Sequence, residues 1–567
     1  MNAQLVNRHK KATDSVQEER FVKAGYEYQL TLNHLLEAMR KLYPKQEIVY
    51  RDRVKYSYAD FYERYQRLSN ALESLGVKQG TIVGVMEWNT HRFFELYFAV
   101  PCMGAILHTI NPYFSPLQLA YIINHAKDAI LFLNEEFIPT IEKIRGELKT
   151  VREYVILSDS RKTPDTKLKP AREYEELLRS SKPNYEYPDL NEDQVATLCY
   201  TSGTTGSPKG CFFSHRQLSL HTIVWASMLP RVGMDVVSGA VIHIVPMYHV
   251  HSWGFPYIAS YYGLKQLFPG RFDPKIILEM LRNETRLGQK VFTACVAAAA
   301  RRIFFHPEVE QYRECLKNLI VKIGGGPFPE GLAKRMEELG VYGFAGWGMT
   351  EAAPIMGACM PKAHMQDWRP DERFAWKLRT GWALPHSEQR VVDESGEDVK
   401  PNGKQQGEVV YRAPWATLGY YKDPEKSKNL WRGGWMHTGD IANIDEECCI
   451  QIVDREKDVI KSGGEWISSI KLESIISTHP KVFEVAVIGV PHEKWGERPI
   501  ALVVPKPGEE VSEDELKEHL RKSVKKGEIP KWWMVDKFVF VSEIEKTGTG
   551  KFDKKLLRLK YKDILMR

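Results

Sequence analysis

Long apolar runs are missing from this chain. Its longest uncharged apolar stretch, Val291 to Ala300, is well short of the roughly 20 residues that a helix needs to cross a bilayer. The opening residues, Met-Asn-Ala-Gln-Leu-Val-Asn-Arg-His-Lys-Lys, carry no apolar core of a secretory signal, so the expectation is a cytoplasmic protein without a membrane span. Cysteine is scarce, 8 in 567 residues, and the one adjacent pair, Cys448-Cys449, has no second pair at zinc spacing. That excludes a disulfide scaffold and predicts thiols packed as small hydrophobes. Internal repeats and low-complexity tracts are absent, as is the interleaving of aromatic and basic residues that marks a nucleic-acid module, so no nucleic-acid partner is expected.

What remains is the composition of a globular enzyme, 43% hydrophobic and 27% charged, in a chain long enough for about two to four domains. The net charge is only +6, but from Ser512 onward 15 Lys+Arg stand against 10 Asp+Glu. That tail reads either as a solvated face or as a surface that attracts phosphates.

The first half alternates helical and strand patterns, which points to parallel sheets flanked by helices. Phe61, Leu68, Leu72 and Leu75 recur at helical spacing and stop at Gly76, a C-terminal capping glycine. Thr81–Glu87 and Ala105–Ile110 read as strands around a helix over Arg92–Met103. The polar, Pro-interrupted stretch Arg161–Pro170 reads as a surface connection. From Asp454 the pattern changes to a compact α+β segment. It has a helix carrying Leu472, Ile475 and Ile476, a strand over Glu484–Val490, and a helix capped by Ser512-Glu-Asp-Glu515 and closed by Gly527.

One segment says more than the rest, Tyr200-Thr-Ser-Gly-Thr-Thr-Gly-Ser-Pro-Lys-Gly210. Glycines let the backbone curl and aim its N–H groups at an anion, while hydroxyls and a lysine add donors. This is the chemistry of a loop around a nucleotide triphosphate, with Thr201, Ser202, Gly203, Thr204, Thr205, Gly206 and Lys209 as candidate ligands. It is not a Walker A loop, because Pro208 precedes Lys209 and Gly210 follows it where Ser or Thr belongs. Val195–Tyr200 before it reads as a strand, and Ser214-His-Arg-Gln217 after it as a capping box, so strand, loop, helix is the predicted setting.

The loop resembles the phosphate loop of the adenylate-forming superfamily: acyl-CoA synthetases, luciferases and peptide-synthetase adenylation domains. The resemblance runs along nearly the whole chain, through Gly324-Gly-Gly-Pro327, Trp347-Gly-Met-Thr-Glu351, Gly407-Glu408, Gly419-Tyr-Tyr421, His437-Thr-Gly-Asp440, Asp454-Arg455, Lys461-Ser-Gly-Gly-Glu-Trp-Ile-Ser-Ser469 and Lys546-Thr-Gly-Thr-Gly-Lys551. It implies an α/β fold with a large N-terminal domain of helix-flanked sheets over 1–454, a hinge over 455–459 and a small α+β domain over 460–567 that rotates about it.

The resemblance also implies roles. ATP, magnesium and coenzyme A are the implied cofactors and co-substrate. Gly325, Gly326, Pro327, Trp347 and Gly348 belong to the adenine side, with Trp standing where the family usually has Tyr. Thr350 faces the α-phosphate, and Glu351 with Thr204 holds magnesium, which prefers carboxylate and phosphate oxygens. Asp440 grips the ribose hydroxyls, with Arg455 beside it, and Lys457 is the hinge. Gly463, Gly464 and Glu465 line the thiol tunnel, whose paired glycines let a pantetheine arm pass. Lys551 is the catalytic lysine, a compact charge between carboxylate and α-phosphate.

For the acid, Pro246-Met-Tyr-His-Val-His-Ser-Trp253 resembles the border of the acyl pocket, with His249 near the carboxylate and Trp253 like the gate of long-chain enzymes. Gly324, Val296 and Ala297 complete the implied pocket. The family's x-Val-Pro-Thr is replaced by Cys295-Val-Ala-Ala-Ala-Ala300, small side chains that reshape one wall; either this widens the site, or the bulk of Trp253, Phe328 and Trp347 closes it to short acids. The expectation is an ATP-dependent acid:CoA ligase for a medium- or long-chain fatty acid. The alternatives are the same chemistry on a short or hydroxy acid such as 4-hydroxybutyrate, a luciferase-like oxidase or carrier-loading ligase, and a binding pseudoenzyme. By analogy a homodimer is expected.

Overall fold

The computed structural model describes residues 25–201, 207–286, 288–463, 465–546 and 552–566. Ser202, Gly203, Thr204, Thr205, Gly206, Gly464 and Lys551, with the side chain of Glu465, lie outside the described residues.

Four sheets organise the chain. A seven-stranded sheet carries Ile82–Met86 at its centre, paired in parallel with Ile106–Thr109 and Ile130–Asn134. A nine-stranded sheet carries Val291–Cys295, Leu319–Ile323 and Tyr342–Gly348 side by side, also parallel. Between the two lies the helix His91–Cys102, buried along its whole length. A helix apolar on every side belongs in an interior layer, and Phe93, Phe94, Leu96, Phe98 and Val100 supply that surface. Its two charged residues keep partners. Arg92 donates to Asp159 at 2.8 Å, and Glu95 accepts from Arg64 at 2.6 Å and from the Tyr56 hydroxyl at 2.7 Å. One apolar cluster joins the facing sides of both sheets, and a second covers the outer side of the nine-stranded one.

Local rules set the boundaries. The helix Tyr58–Ser74 opens on a Ser57/Asp60 capping box and is followed by Gly76 at φ 77°, the left-handed conformation that glycine adopts without strain. Ser512 and Glu515 cap Glu513–Lys525 in the same way. The setting of the phosphate loop differs from expectation. Lys209–Ser214 is a strand, antiparallel to Val195–Thr201, and only then does the Ser214/Gln217 box open the helix His215–Met228. The unit is strand, loop, strand, helix, because Cys211, Phe212 and Phe213 pair with Cys199, Leu198 and Thr197 before the chain turns.

A four-stranded antiparallel sheet follows, ending in Met436–Ile444 and Ile450–Arg455. From Ile460 the chain builds a five-stranded sheet around Val482–His492 and Gly496–Pro505, with an apolar cluster on each face. This last unit rests on the nine-stranded sheet's outer helices. The helix Glu330–Glu338 approaches Ser469–Ser477 so closely that a Cβ on Gly331 would stand 2.6 Å from the Ser477 carbonyl oxygen. Phe483 packs edge-on to Phe305 with ring centroids 6.4 Å apart.

No helix among the described residues is long and apolar enough to cross a membrane. The eight cysteines are free thiols, six of them buried.

Candidate active site

A cavity of about 1110 Å³ opens where the large sheets, the four-stranded sheet and the last unit meet. Most of the residues expected on separate motifs converge on it. Thr201 and Lys209 line it from the phosphate-loop strands, Gly324, Gly325, Gly326 and Pro327 from the end of Leu319–Ile323, and Trp347, Gly348, Thr350 and Glu351 from the end of Tyr342–Gly348. His249, Trp253, Val296 and Ala297 close one side, and Arg455 and Lys457 another. In an open parallel sheet the carboxyl ends of the strands are where ligands bind.

The Trp347-Gly348 turn depends on one missing side chain. The pairing register with Ile355–Ala358 shifts between Trp347 and Gly348, and a Cβ at Gly348 would stand 1.9 Å from the Pro354 carbonyl oxygen. This bulge delivers the short helical turn Thr350–Ala352 to the cavity. Gly348→Ala is expected to force the two segments apart, lowering stability by roughly 2 kcal/mol or more. A thermal melt of the variant at wild-type temperature would contradict the argument.

Glu351 is 7% exposed, and its Oε1 accepts from the Tyr420 hydroxyl at 2.7 Å. The Lys209 ammonium lies 4.8 Å from the centre of the same Tyr420 ring. Tyr420 therefore ties the phosphate-loop lysine to the acidic residue, a role not read from the Gly419-Tyr-Tyr421 motif. The Tyr421 N–H donates to the Gly210 carbonyl at 2.7 Å and the Thr417 N–H to the Glu351 carbonyl at 2.7 Å, which holds the three segments in register. The second carboxylate oxygen of Glu351 has no hydrogen bond among the described residues. One carboxylate on a cavity wall shared with Lys209 has the chemistry of a magnesium ligand, an ion that takes few protein ligands.

Asp440 and Arg455 are direct partners across adjacent strands, and the guanidinium Nε sits 3.0 Å from the Asp440 carboxylate. That carboxylate raises the Arg455 pKa further. Lys457 follows in a tight turn, where the Asp458 and Val459 N–H groups both return to the Arg455 carbonyl. Burial, then the neighbouring Arg455 charge, brings the Lys457 amine down to about 8. Asp454, also on the cavity wall, is tied to the following segment: its Oδ2 accepts from the Ser469 N–H at 2.9 Å and from the Ser469 hydroxyl at 2.5 Å.

The two small-domain segments differ in placement. Phe552, Lys554 and Arg558 line the cavity. Gly463 does not: its N–H donates to the Trp495 carbonyl at 2.8 Å, and a Cβ there would meet the Trp495 ring at 2.9 Å. Phe328, expected near the acid, belongs to the cluster on the outer side of the nine-stranded sheet. It turns toward Gly343 because the side chains beyond Gly324-Gly-Gly-Pro327 alternate away from the cavity.

Trp253 is 5% exposed and is positioned by an unusual turn. Val250, His251, Ser252 and Trp253 have φ of 31°, 58°, 50° and 55°, left-handed values that cost roughly 1–2 kcal/mol per non-glycine residue. The turn is held by the Ser252 hydroxyl donating to the Val245 carbonyl at 2.8 Å and by His251 Nε2 against the Thr197 hydroxyl at 2.8 Å. Strain of this kind persists where surrounding contacts over-determine it, commonly at binding sites.

The chain is similar to known proteins along most of its length. The family model for the AMP-binding enzyme matches residues 36–421, and that for the AMP-binding enzyme C-terminal domain matches residues 471–551. A long-chain-fatty-acid–CoA ligase of Thermus thermophilus is 40% identical over 542 residues, covering 94% of this chain and 96% of the relative. A medium-chain-fatty-acid–CoA ligase of Ectopseudomonas oleovorans is 34% identical over 510 residues, covering 89% of this chain and 90% of the relative. Among solved structures, the anthranilate CoA ligase AuaEII in complex with anthranoyl-AMP superposes with a TM-score of 0.82 at 23% identity, over 95% of this chain and 98% of that one.

Proposed function

This chain belongs to the AMP-binding enzyme family and is an acyl-CoA ligase, and from that premise we propose that it joins an aliphatic acid to coenzyme A in two steps at the cavity described above. In the first, the acid's carboxylate attacks the α-phosphate of ATP; the bond to the leaving pyrophosphate breaks and an acyl-adenylate forms. In the second, the thiol of coenzyme A attacks the acyl carbon and AMP leaves. The observation that carries the reading is the convergence of Lys209, Thr350, Glu351 and Arg455 on one cavity that also reaches Trp253.

The residues act by position and charge. Lys209, with the loop 202–206 before it, holds the triphosphate, and Thr350 donates to the α-phosphate. Asp440 accepts from the ribose hydroxyls while Arg455 fixes its orientation. Magnesium, when bound by Glu351 and Thr204, offsets phosphate charge. Lys551 neutralises the two converging anions, and its neighbour Phe552 on the cavity wall supports that assignment. The unit from 460 onward then turns about Lys457, withdrawing Lys551 and bringing Gly463, Gly464 and Glu465 to the thiol path.

The proposed acid is a medium- or long-chain one, supported by the apolar wall of Val296, Ala297 and Trp253 and by what the Thermus and Ectopseudomonas relatives are named for. A second reading, a short or hydroxy acid such as 4-hydroxybutyrate, is favoured by an amine in that wall, Lys322. Each methylene enclosed is worth about 0.8 kcal/mol, so eight more carbons gain roughly 6 kcal/mol in a full tunnel. Pyrophosphate release with ATP, magnesium and coenzyme A is therefore expected to rise with chain length, peaking at about eight carbons or beyond. A peak at about four carbons or below would make Trp253 a wall and the acid a short one.

A further inference from the structure

The wall beside Trp253 contains a charge-bearing group that no motif announces. Lys322 lies within the strand Leu319–Ile323, opposite Ala294 on one neighbour and Phe344 on the other, and it is 1% exposed. An interior strand of a parallel sheet is apolar at such a position, as Ile320 two residues earlier is. The Lys322 amine instead lies 4.6 Å from the centre of the Trp253 ring, on the cavity wall.

The structure makes room for this side chain by omitting others. A Cβ on Gly346 would stand 2.3 Å from Lys322 Cε, and one on Gly324 would stand 3.1 Å both from Lys322 Nζ and from the tip of Trp253. No carboxylate pairs with the amine among the described residues, and none of their acceptors takes a hydrogen bond from it. The titratable side chain nearest in effect is itself basic. His221 is held neutral, pushed down to about 3 by burial first and then by His251 and Lys322, and its Nε2 is taken by the Ile355 N–H at 3.3 Å. A buried amine with three donors and no acceptor is unfavourable to keep, and in a ligand cavity it calls for a ligand that satisfies it.

We propose that Lys322 reads the tail of the acid, so that the cavity selects an aliphatic acid carrying an oxygen acceptor (hydroxyl, oxo or second carboxylate) within reach of that amine over the plain alkanoate of equal length. This rests on the acid:CoA ligase reading and sharpens it. The ring of Trp253 orients the amine by a cation–π contact, and the acceptor replaces the water that a free amine would hold.

The test is a set of matched acids of four to about twelve carbons, each as alkanoate, ω-hydroxy acid and dicarboxylate, assayed by pyrophosphate release with the wild type, Lys322→Met and Lys322→Gln. In at least one set the wild type is expected to favour the oxygenated member by about tenfold or more, chiefly through KM. Lys322→Met should abolish or invert that preference. A preference confined to dicarboxylates identifies a carboxylate tail, and one shared with ω-hydroxy acids identifies a neutral acceptor. Equal ratios in wild type and Lys322→Met, or preference for the alkanoate in every wild-type set, would overturn the proposal while leaving the ligase reading intact. Pyrophosphate release with no acid at all would overturn both. If the variants fail to fold, the wild-type ratios alone decide.

Discussion

Lys551→Ala is expected to lower acyl-adenylate formation by about a thousandfold, roughly 4 kcal/mol of transition-state stabilisation, while thioester formation from supplied acyl-adenylate continues near the wild-type rate. The asymmetry follows from timing. Two anions approach only in the first step, and a compact ammonium between them is needed there. In the second step a thiol meets an adenylate whose activated acyl carbon already has a good leaving group. Assaying the half-reactions separately, by pyrophosphate exchange and by coenzyme A consumption from synthetic acyl-adenylate, distinguishes them. Equal loss in both would mean that Lys551 holds the fold or the nucleotide rather than the reacting pair.

Lys322→Met is expected to stabilise the protein near neutral pH, an unusual direction for a fully buried substitution. Burial alone brings the Lys322 amine down to about 7, below the roughly 10.4 of an unfolded chain. Between those values the unfolded state binds more protons than the folded one, so wild-type stability rises with pH across that window. Below about pH 7 the full penalty stands, on the order of 4 kcal/mol. Methionine has neither the proton nor the penalty and fills a similar volume. The variant should therefore melt well above the wild type at pH 6 to 7, and the gap should close toward pH 10. A gap that stays constant over that range would mean that the amine keeps its proton when folded.

Much of this architecture is legible from residue order because the signals are local. Ser57 with Asp60, Ser214 with Gln217 and Ser512 with Glu515 each close a capping box within four residues of chain, and Gly76 ends its helix where a left-handed residue is required. Motifs in a fixed order identify a family, and Gly324, Trp347 and Arg455 from those motifs line one cavity although far apart in sequence. What escapes such reading depends on non-local contacts. The strand at Lys209–Ser214 exists because its partner precedes it across the loop. The left-handed turn at Val250–Trp253 has one glycine after it and none within it, so no glycine signals it; Thr197 and Val245 impose it. Tyr420 and Lys322 each derive their meaning from a partner about 70 residues away in the chain, Glu351 in one case and Trp253 in the other.

Asp454 lies before the proposed pivot and Ser469 after it, yet the two are joined by a pair of buried hydrogen bonds. The Ser468 hydroxyl adds a third bridge to the Val453 carbonyl at 2.5 Å. If the small domain turns about Lys457, these bridges must open together and leave a carboxylate seeking water. The interval for which an acyl-adenylate waits, shielded from hydrolysis, then depends in part on how long these bonds at Asp454 last.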